Sequence, residues 1–269
     1  MRKFYFLPFI FCLPFIALNQ EKEERERKDT TKINYKNNVI IIIQDSTSNG
    51  AKEKSPTHNV EVNLFRGLTF GVNGYFTDSD FGINNDPDNM HMELNYGRSF
   101  FLQFNIAEYN VPIFVEQFRF HTGLGFRFNR YAFKSSTTTI GFNDSTIFAN
   151  EVPNADFNKN FLNVTYISLP VMLSLVPGKN PNKGFHISTG ANLNYRIGSR
   201  TKQVYRSNDG KGKNIKKGHY HINPFLIDAT FKMGIDDFSV TANYGLTPLF
   251  EKTKGPEYYP FSLGVSWFF

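Results

Sequence analysis

Residues 258–269, YYPFSLGVSWFF, carry the pattern that decides the fold. Phe261, Leu263, Val265, Trp267 and Phe269 occupy one parity; Ser262, Gly264 and Ser266 occupy the other, with Phe268 as its single bulky member. Strict alternation is the signature of a β-strand, because successive side chains point to opposite sides of the sheet. Here one face is apolar and the other small or polar. A soluble sheet turns such a face toward a core, whereas a transmembrane β-barrel turns it toward lipid, with aromatic residues at its borders. If the second reading holds, the rest of the chain must supply seven comparable strands.

Seven such segments precede it, near residues 61–76, 91–105, 115–133, 161–175, 184–198, 221–233 and 238–246. The first places Leu64, Leu68, Phe70, Val72 and Phe76 against Thr69, Gly71, Asn73 and Tyr75. The third places Phe118, Phe120, Leu124, Phe126 and Phe128 against Arg119, His121, Gly123, Gly125, Arg127 and Asn129. The fifth sets Phe185, Ile187, Ala191, Leu193, Tyr195 and Ile197 against His186, Ser188, Gly190, Asn192, Asn194 and Arg196. The sixth and seventh alternate likewise from Phe225 to Met233 and from Phe238 to Leu246. Two segments break the scheme. In the fourth, Leu162, Val164 and Tyr166 lie on the parity opposite to Ile167, Leu169, Val171, Leu173 and Leu175, which predicts a bulge near Tyr166 or a strand tip above the membrane. In the second, Met92, Leu94, Tyr96, Phe100, Leu102 and Phe104 are expected outside, and Arg98 then falls on the lipid-facing parity.

The connections alternate in length. Those at 77–90, 134–160 and 199–220 are long, and those at 106–114, 176–183 and 234–237 are short. Outer-membrane barrels show this asymmetry, with long external loops and short periplasmic turns. The expectation is therefore an all-β chain built on an eight-stranded, antiparallel, up-and-down transmembrane barrel at residues 60–269, in the outer membrane of a Gram-negative bacterium, with both mature termini periplasmic. The mean hydropathy of −0.38 does not oppose this, since only alternate residues face lipid.

Ahead of the barrel, Arg2 and Lys3 precede an apolar run from Phe4 to Leu18, the anatomy of a secretory signal peptide over residues 1–19. Its removal lowers the formal net charge from +6 to +4 and takes away Cys12, the one cysteine. Residues 20–59 read as a periplasmic leader. It opens with a charge run at 21–28 and contains a β-hairpin at about 31–44, where Asn37 and Asn38 supply turn residues before the isoleucine run 40–43.

Candidate functional residues fall into four groups. The inward faces gather Glu93, Arg119, His121, Arg127, Arg196, Asp228 and Lys232, with His186 nearby. An eight-stranded barrel is just wide enough for its side chains to fill, so these predict a hydrogen-bonded luminal charge network rather than a channel. The fifth connection holds Arg200, Lys202, Arg206, Lys211, Lys213, Lys216 and Lys217 against Asp209 alone, a basic external loop suited to lipopolysaccharide phosphates. The 77–90 connection carries Asp78, Asp80, Asp86 and Asp88 without a base, and could hold a divalent ion. His219 and His221 form at most a two-residue metal match. No phosphate-binding Gly-Lys-Ser/Thr loop and no Gly-x-Ser-x-Gly elbow occurs, so neither an enzyme nor a cofactor is expected.

Two resemblances add to this reading. Val265, Trp267 and Phe269 resemble the terminal signal read by the barrel-assembly machinery. TGLGF at 122–126, NRY at 129–131, YISLP at 166–170, YGLTPLF at 244–250, KGPE at 254–257 and YPFS at 259–262 together resemble the PorT-like outer-membrane β-barrel proteins of Bacteroidota, over roughly residues 65–269. That resemblance implies fold and location and transfers no catalytic residue. The expected function is a structural or interaction barrel acting through external loops and periplasmic leader; the alternative is a narrow transport or secretion-associated component. Expected partners are outer-membrane lipid and lipopolysaccharide, the assembly machinery during insertion, and a periplasmic protein; nucleic acid is not expected.

Overall fold

A computed structural model describes residues 29–35, 38–44, 61–76, 87–113, 115, 117–152, 156–177, 184–207 and 210–268. The proposed signal peptide, Cys12, the charge run, Phe269 and most of the acidic 77–90 connection lie outside them. The described residues divide into two units, one within residues 1–54 and the other within 55–269. In the first, β1 (Asp29–Tyr35) and β2 (Asn38–Gln44) pair antiparallel with Tyr35 opposite Asn38.

The second unit is a closed barrel. Its eight staves are β3 (Glu61–Phe76), β4 (Phe100–Pro112), β5 (Phe118–Ala132), β8 (Phe157–Leu175), β9 (Phe185–Ser207), β11 (Phe225–Ile235), β12 (Phe238–Gly245) and β13 (Tyr259–Trp267). All neighbours are antiparallel in the order β9-β11-β12-β13-β3-β4-β5-β8, and pairing of β8 with β9 closes the circle. Two further hairpin strands, β6 (Thr138–Phe142) and β7 (Ile147–Glu151), fold within the connection after β5, and β10 (Gly210–Lys217) prolongs β9 beyond the barrel. At one end the staves are joined through 77–99, 133–156, 208–224 and 246–258. At the other, 113–117, 176–184 and the pair Asp236 and Asp237 suffice.

Burial follows strand parity. Along β13, Ser262, Gly264 and Ser266 are buried while Leu263, Val265 and Trp267 are exposed. The outward faces of β5, β8, β9, β11 and β12 continue this belt, with Phe231, Phe238, Leu193 and Leu169 among its exposed apolar side chains. Closure at this diameter needs close backbone approach at particular inward positions. Gly71 of β3 stands opposite Gly264 of β13, and a Cβ on Gly71 would lie 2.1 Å from the Leu263 carbonyl oxygen.

The structure corrects several strand assignments. The second stave begins at Phe100 and runs to Pro112, well past Asn105; Pro87–Met92 is a 3-10 turn, and Met92 and Leu94 are fully buried instead of facing out. Arg98 sits in the turn before β4, exposed, with its Nη1 donating to the Asn158 carbonyl at 3.3 Å. It therefore never enters the apolar belt. The sixth stave begins at Phe225, four residues after His221, whose φ of 45° is incompatible with a strand.

The parity break in the fourth stave is also resolved. Asn160, Leu162, Val164, Tyr166, Ser168, Met172 and Ser174 are all buried, so β8 keeps its side-chain alternation throughout. A register shift does occur between Thr165 and Tyr166, but Thr165 pairs with Gly198 and Tyr166 with Arg196, leaving the extra residue, Ile197, on β9. Leu162, Val164 and Tyr166 are apolar and inward because that end of the lumen holds a hydrophobic core. They pack there with Tyr75, Tyr131 and Leu226 from the staves and with Met92, Leu94, Ile140, Ile222 and Phe250 from the connections.

Candidate functional site

The lumen has three levels. Nearest the long connections lies the apolar core, and the connections themselves close it over. Isolated bridges join Leu94 to Phe133 and Ile222 to Phe250, Tyr75 stacks on Tyr258 with centroids 4.5 Å apart, and the Tyr75 hydroxyl donates to the Met92 carbonyl. Residues excluded from water in this way give the cap the packing of a soluble core.

The middle level is polar. Arg127 of β5 reaches across to Asp228 of β11, Nη1 to Oδ2 at 2.5 Å, with both side chains 1% exposed. Arg127 Nη2 donates to Ser262 Oγ at 3.0 Å and its Nε to Asn129 Oδ1 at 3.1 Å; Asn194 Nδ2 donates to Asp228 Oδ2 at 2.9 Å. The chain of bonds continues around the wall through Ser168 to Asn192, Asn192 to Gln103 and Gln103 to Asn105. On the other side it runs from Ser262 through Asn243 to Thr230. A buried ion pair needs this: removing two charges from water is costly unless their remaining donors and acceptors are satisfied.

The third level opens toward the short turns as a cavity of about 150 Å³, lined by Glu108, Arg119, His121, His186, Lys232 and Phe268 among others. Glu108 Oε1 and His121 Nδ1 are 2.8 Å apart, Arg119 Nε donates to Asn110 Oδ1 at 2.8 Å, and Lys232 Nζ lies 5.6 Å from the Phe268 ring centroid.

The expected luminal residues thus fall at different depths. Arg127 and Asp228 meet in the middle; Arg119, His121 and Lys232 share the cavity below. Glu93 is outside the lumen, paired with Lys134 among the long connections, because the stave expected to carry it starts seven residues later. Arg196 points to the long-connection end, donating to Ser199 Oγ at 3.3 Å and the His219 carbonyl at 3.4 Å. Sequence reasoning missed Glu108. The sequence pattern places it in the short connection 106–114, whereas β4 continues past it, with a register shift between Asn105 and Ala107 that turns Glu108 inward. The seven residues of the basic loop lie on the β9–β10 hairpin, where Lys213 stands opposite Val204 and Lys217 opposite Arg200. Val265 and Trp267 face outward, and Trp267 stacks on Phe238.

His219 and His221 sit among the long connections with ring centroids 4.5 Å apart. His221 Nε2 contacts the Asn143 carbonyl at 2.7 Å, and desolvation followed by the charge of His221 pushes the His219 imidazole below its ordinary pKa. Glu251, held below its usual carboxylate range by the hydrogen bond from Lys254, is 3.9 Å from His221. Among the described residues no three His, Cys, Asp or Glu side chains are arranged to hold a metal ion.

Residues 51–251 match the family described as "Outer membrane protein beta-barrel domain". The chain belongs to that family. Its apolar belt accordingly faces the lipid of the outer membrane, and the lumen described above is the interior of an outer-membrane barrel. Among solved structures, the chain is similar to Ail, the attachment invasion locus protein of Yersinia pestis, solved in complex with the heparin analogue sucrose octasulfate. The identity is 12%, the match covers 76% of this chain and 97% of that one, and the TM-score is 0.31. No curated protein matches.

Proposed function

We propose that this outer-membrane barrel is a non-enzymatic structural or interaction protein whose lumen conducts nothing. The obstruction of that lumen carries the reading. A cap of folded connections, an apolar core and an ion-paired ring succeed one another along the axis, and each is built from buried side chains. Surfaces left for contact are the long connections, the β9–β10 hairpin and the separate β1–β2 unit. In this reading the long connections face the cell exterior and the short turns face the periplasm. Residues 1–19 are a signal peptide, and the hairpin within 20–59 offers an edge to a periplasmic protein. Val265, Trp267 and Phe269 form the insertion signal. Within the family, the stretches at 122–131, 166–170 and 244–262 favour the PorT-like barrels of Bacteroidota.

The alternative, a narrow transport or secretion-associated component, draws on the cavity at the short-turn end. That cavity extends as far as Asn105, which accepts a hydrogen bond from Gln103 in the polar ring. Two measurements test the reading. Liposomes carrying the folded protein should swell in small sugars no faster than empty ones; rapid swelling would favour transport. An epitope inserted after Asp144 should be reached by antibody on intact cells, and one between Asp236 and Asp237 only after the outer membrane is permeabilised. The reverse pattern would invert the proposed orientation.

A further inference from the structure

Just beyond the apolar belt, toward the long connections, the outward face of three neighbouring strands changes from hydrocarbon to positive charge. On β5 the outward series Leu124, Phe126, Phe128 ends in Arg130. On β9 the series Leu193, Tyr195, Ile197 is followed, past the register shift, by Arg200 and Lys202. On β8, Leu169 and Ile167 give way to Asn163, Phe161 and Lys159. Strand pairing sets these residues side by side: Arg130 opposite Asn163, Asn163 opposite Arg200, Phe161 opposite Lys202, and on β10 Ile215 opposite Lys202.

The cluster is organised by its aromatic rings. Arg130 Cζ lies 4.4 Å from the Phe161 ring centroid and 4.5 Å from that of Phe100, while its Nε donates to Asn163 Oδ1 at 3.2 Å. Lys202 Nζ lies 5.7 Å from the Phe161 centroid. Phe161 is 6% exposed although it points outward, because the two cationic side chains cover it. Lys213, Lys159, Arg130 and Arg200 all lie near enough to act electrostatically on Lys202. None of these five cations has a carboxylate within ion-pair distance among the described residues. Five like charges gathered on one face, without an acidic partner, raise a positive local potential that draws in an external anion. A guanidinium held over aromatic rings, as that of Arg130 is, keeps N–H donors free for the oxygens of a phosphate.

We propose that Arg130, Lys159, Arg200, Lys202 and Lys213, supported by Phe100 and Phe161, form a binding site for the phosphate groups of a membrane lipid headgroup. Position selects a lipid over a free anion: the acyl chains of a lipid lying along Phe128, Ile167 and Ile197 bring its phosphate to the level of Arg130. Which leaflet supplies the lipid rests on the orientation proposed above. If the long connections face outward, the ligand is the phosphorylated glucosamine headgroup of lipopolysaccharide.

The test uses the full folded chain in detergent micelles, with bisphosphorylated lipid A as probe. Two comparison probes are lipid A stripped of its phosphates and phosphatidylglycerol, and inorganic phosphate serves as a competitor. The Arg130→Gln, Lys202→Gln double variant should bind bisphosphorylated lipid A about 30-fold more weakly, since each basic residue near an anionic headgroup contributes about fivefold. Lys252→Gln, elsewhere among the long connections, should bind as wild type. A second pair, Lys159→Gln with Lys213→Gln, should lose a similar factor and keeps the test sharp if the first pair folds poorly. Phosphatidylglycerol binding near that of lipid A supports the phosphate site and shifts its source to a phospholipid. Equal binding of the stripped lipid, unchanged affinity in both double variants, or full displacement by millimolar inorganic phosphate would each overturn the proposal. The epitope experiment reports orientation without reference to these cations, so either reading can fail alone.

Discussion

Arg127 and Asp228, 101 residues apart in the chain, meet across the lumen at 2.5 Å and tie β5 to β11 without sharing a strand boundary. The pair is a transverse brace: backbone pairing runs around the wall, and this contact runs through its centre.

Removing one partner leaves the other charged and buried. Asp228→Ala should lower unfolding stability by roughly 3–5 kcal/mol, whereas the double variant Arg127→Met, Asp228→Leu should recover most of that loss. Urea titration of the protein in lipid vesicles checks both. A loss under about 1 kcal/mol in the single variant would mean that water reaches the ring, since solvated ion pairs are worth no more than that.

Closure depends on Gly71 facing Gly264. A Cβ on Gly71 would meet main-chain atoms of β13, which cannot move without separating the two strands. Gly71→Val should therefore cost more than the roughly 1–3 kcal/mol of ordinary overpacking. Loss of the fast-migrating folded band on an unheated gel is the expected readout, and normal migration would show that the seam has slack.

Leu193 lies in the apolar belt between Leu169 and Ile227. Leu193→Arg should destabilise the barrel in bilayers by about 2–4 kcal/mol, the cost of a cation near the hydrocarbon midplane. Arg98→Leu should change stability little, because Arg98 lies in a turn outside the belt. Similar effects at both sites in a vesicle unfolding assay would contradict the assigned depth of the belt.

Leu94 is buried in the cap despite belonging to a connection. Leu94→Ala should cost about 2–5 kcal/mol, as deletion from a packed core does. Comparison of unfolding midpoints would check it, and a negligible effect would mean that the cap is loosely packed.

The barrel itself was legible because its decisive feature is periodic. Alternation from Phe118 to Asn129 or from Phe261 to Trp267 depends only on which side each residue faces, and long and short connections alternate visibly between such segments. The cap was not legible. Met92 and Leu94 share parity with Phe100 and Leu102, so a buried connection and a lipid-facing strand look alike when apolar residues occur at period two. Glu108 was hidden by the register shift at Ile106, which changes facing without any mark in composition. Phe161 and Arg130 show a third case: their partnership depends on strand register, and no spacing along the chain brings β5, β8 and β9 together.

Single-channel recording across a planar bilayer containing the folded, purified barrel tests the filled lumen most directly. With the core, the Arg127–Asp228 ring and the cap all in place, no stable open level should appear at moderate voltage. Long-lived, reproducible conductance steps from the wild-type protein would contradict a lumen closed by its own side chains.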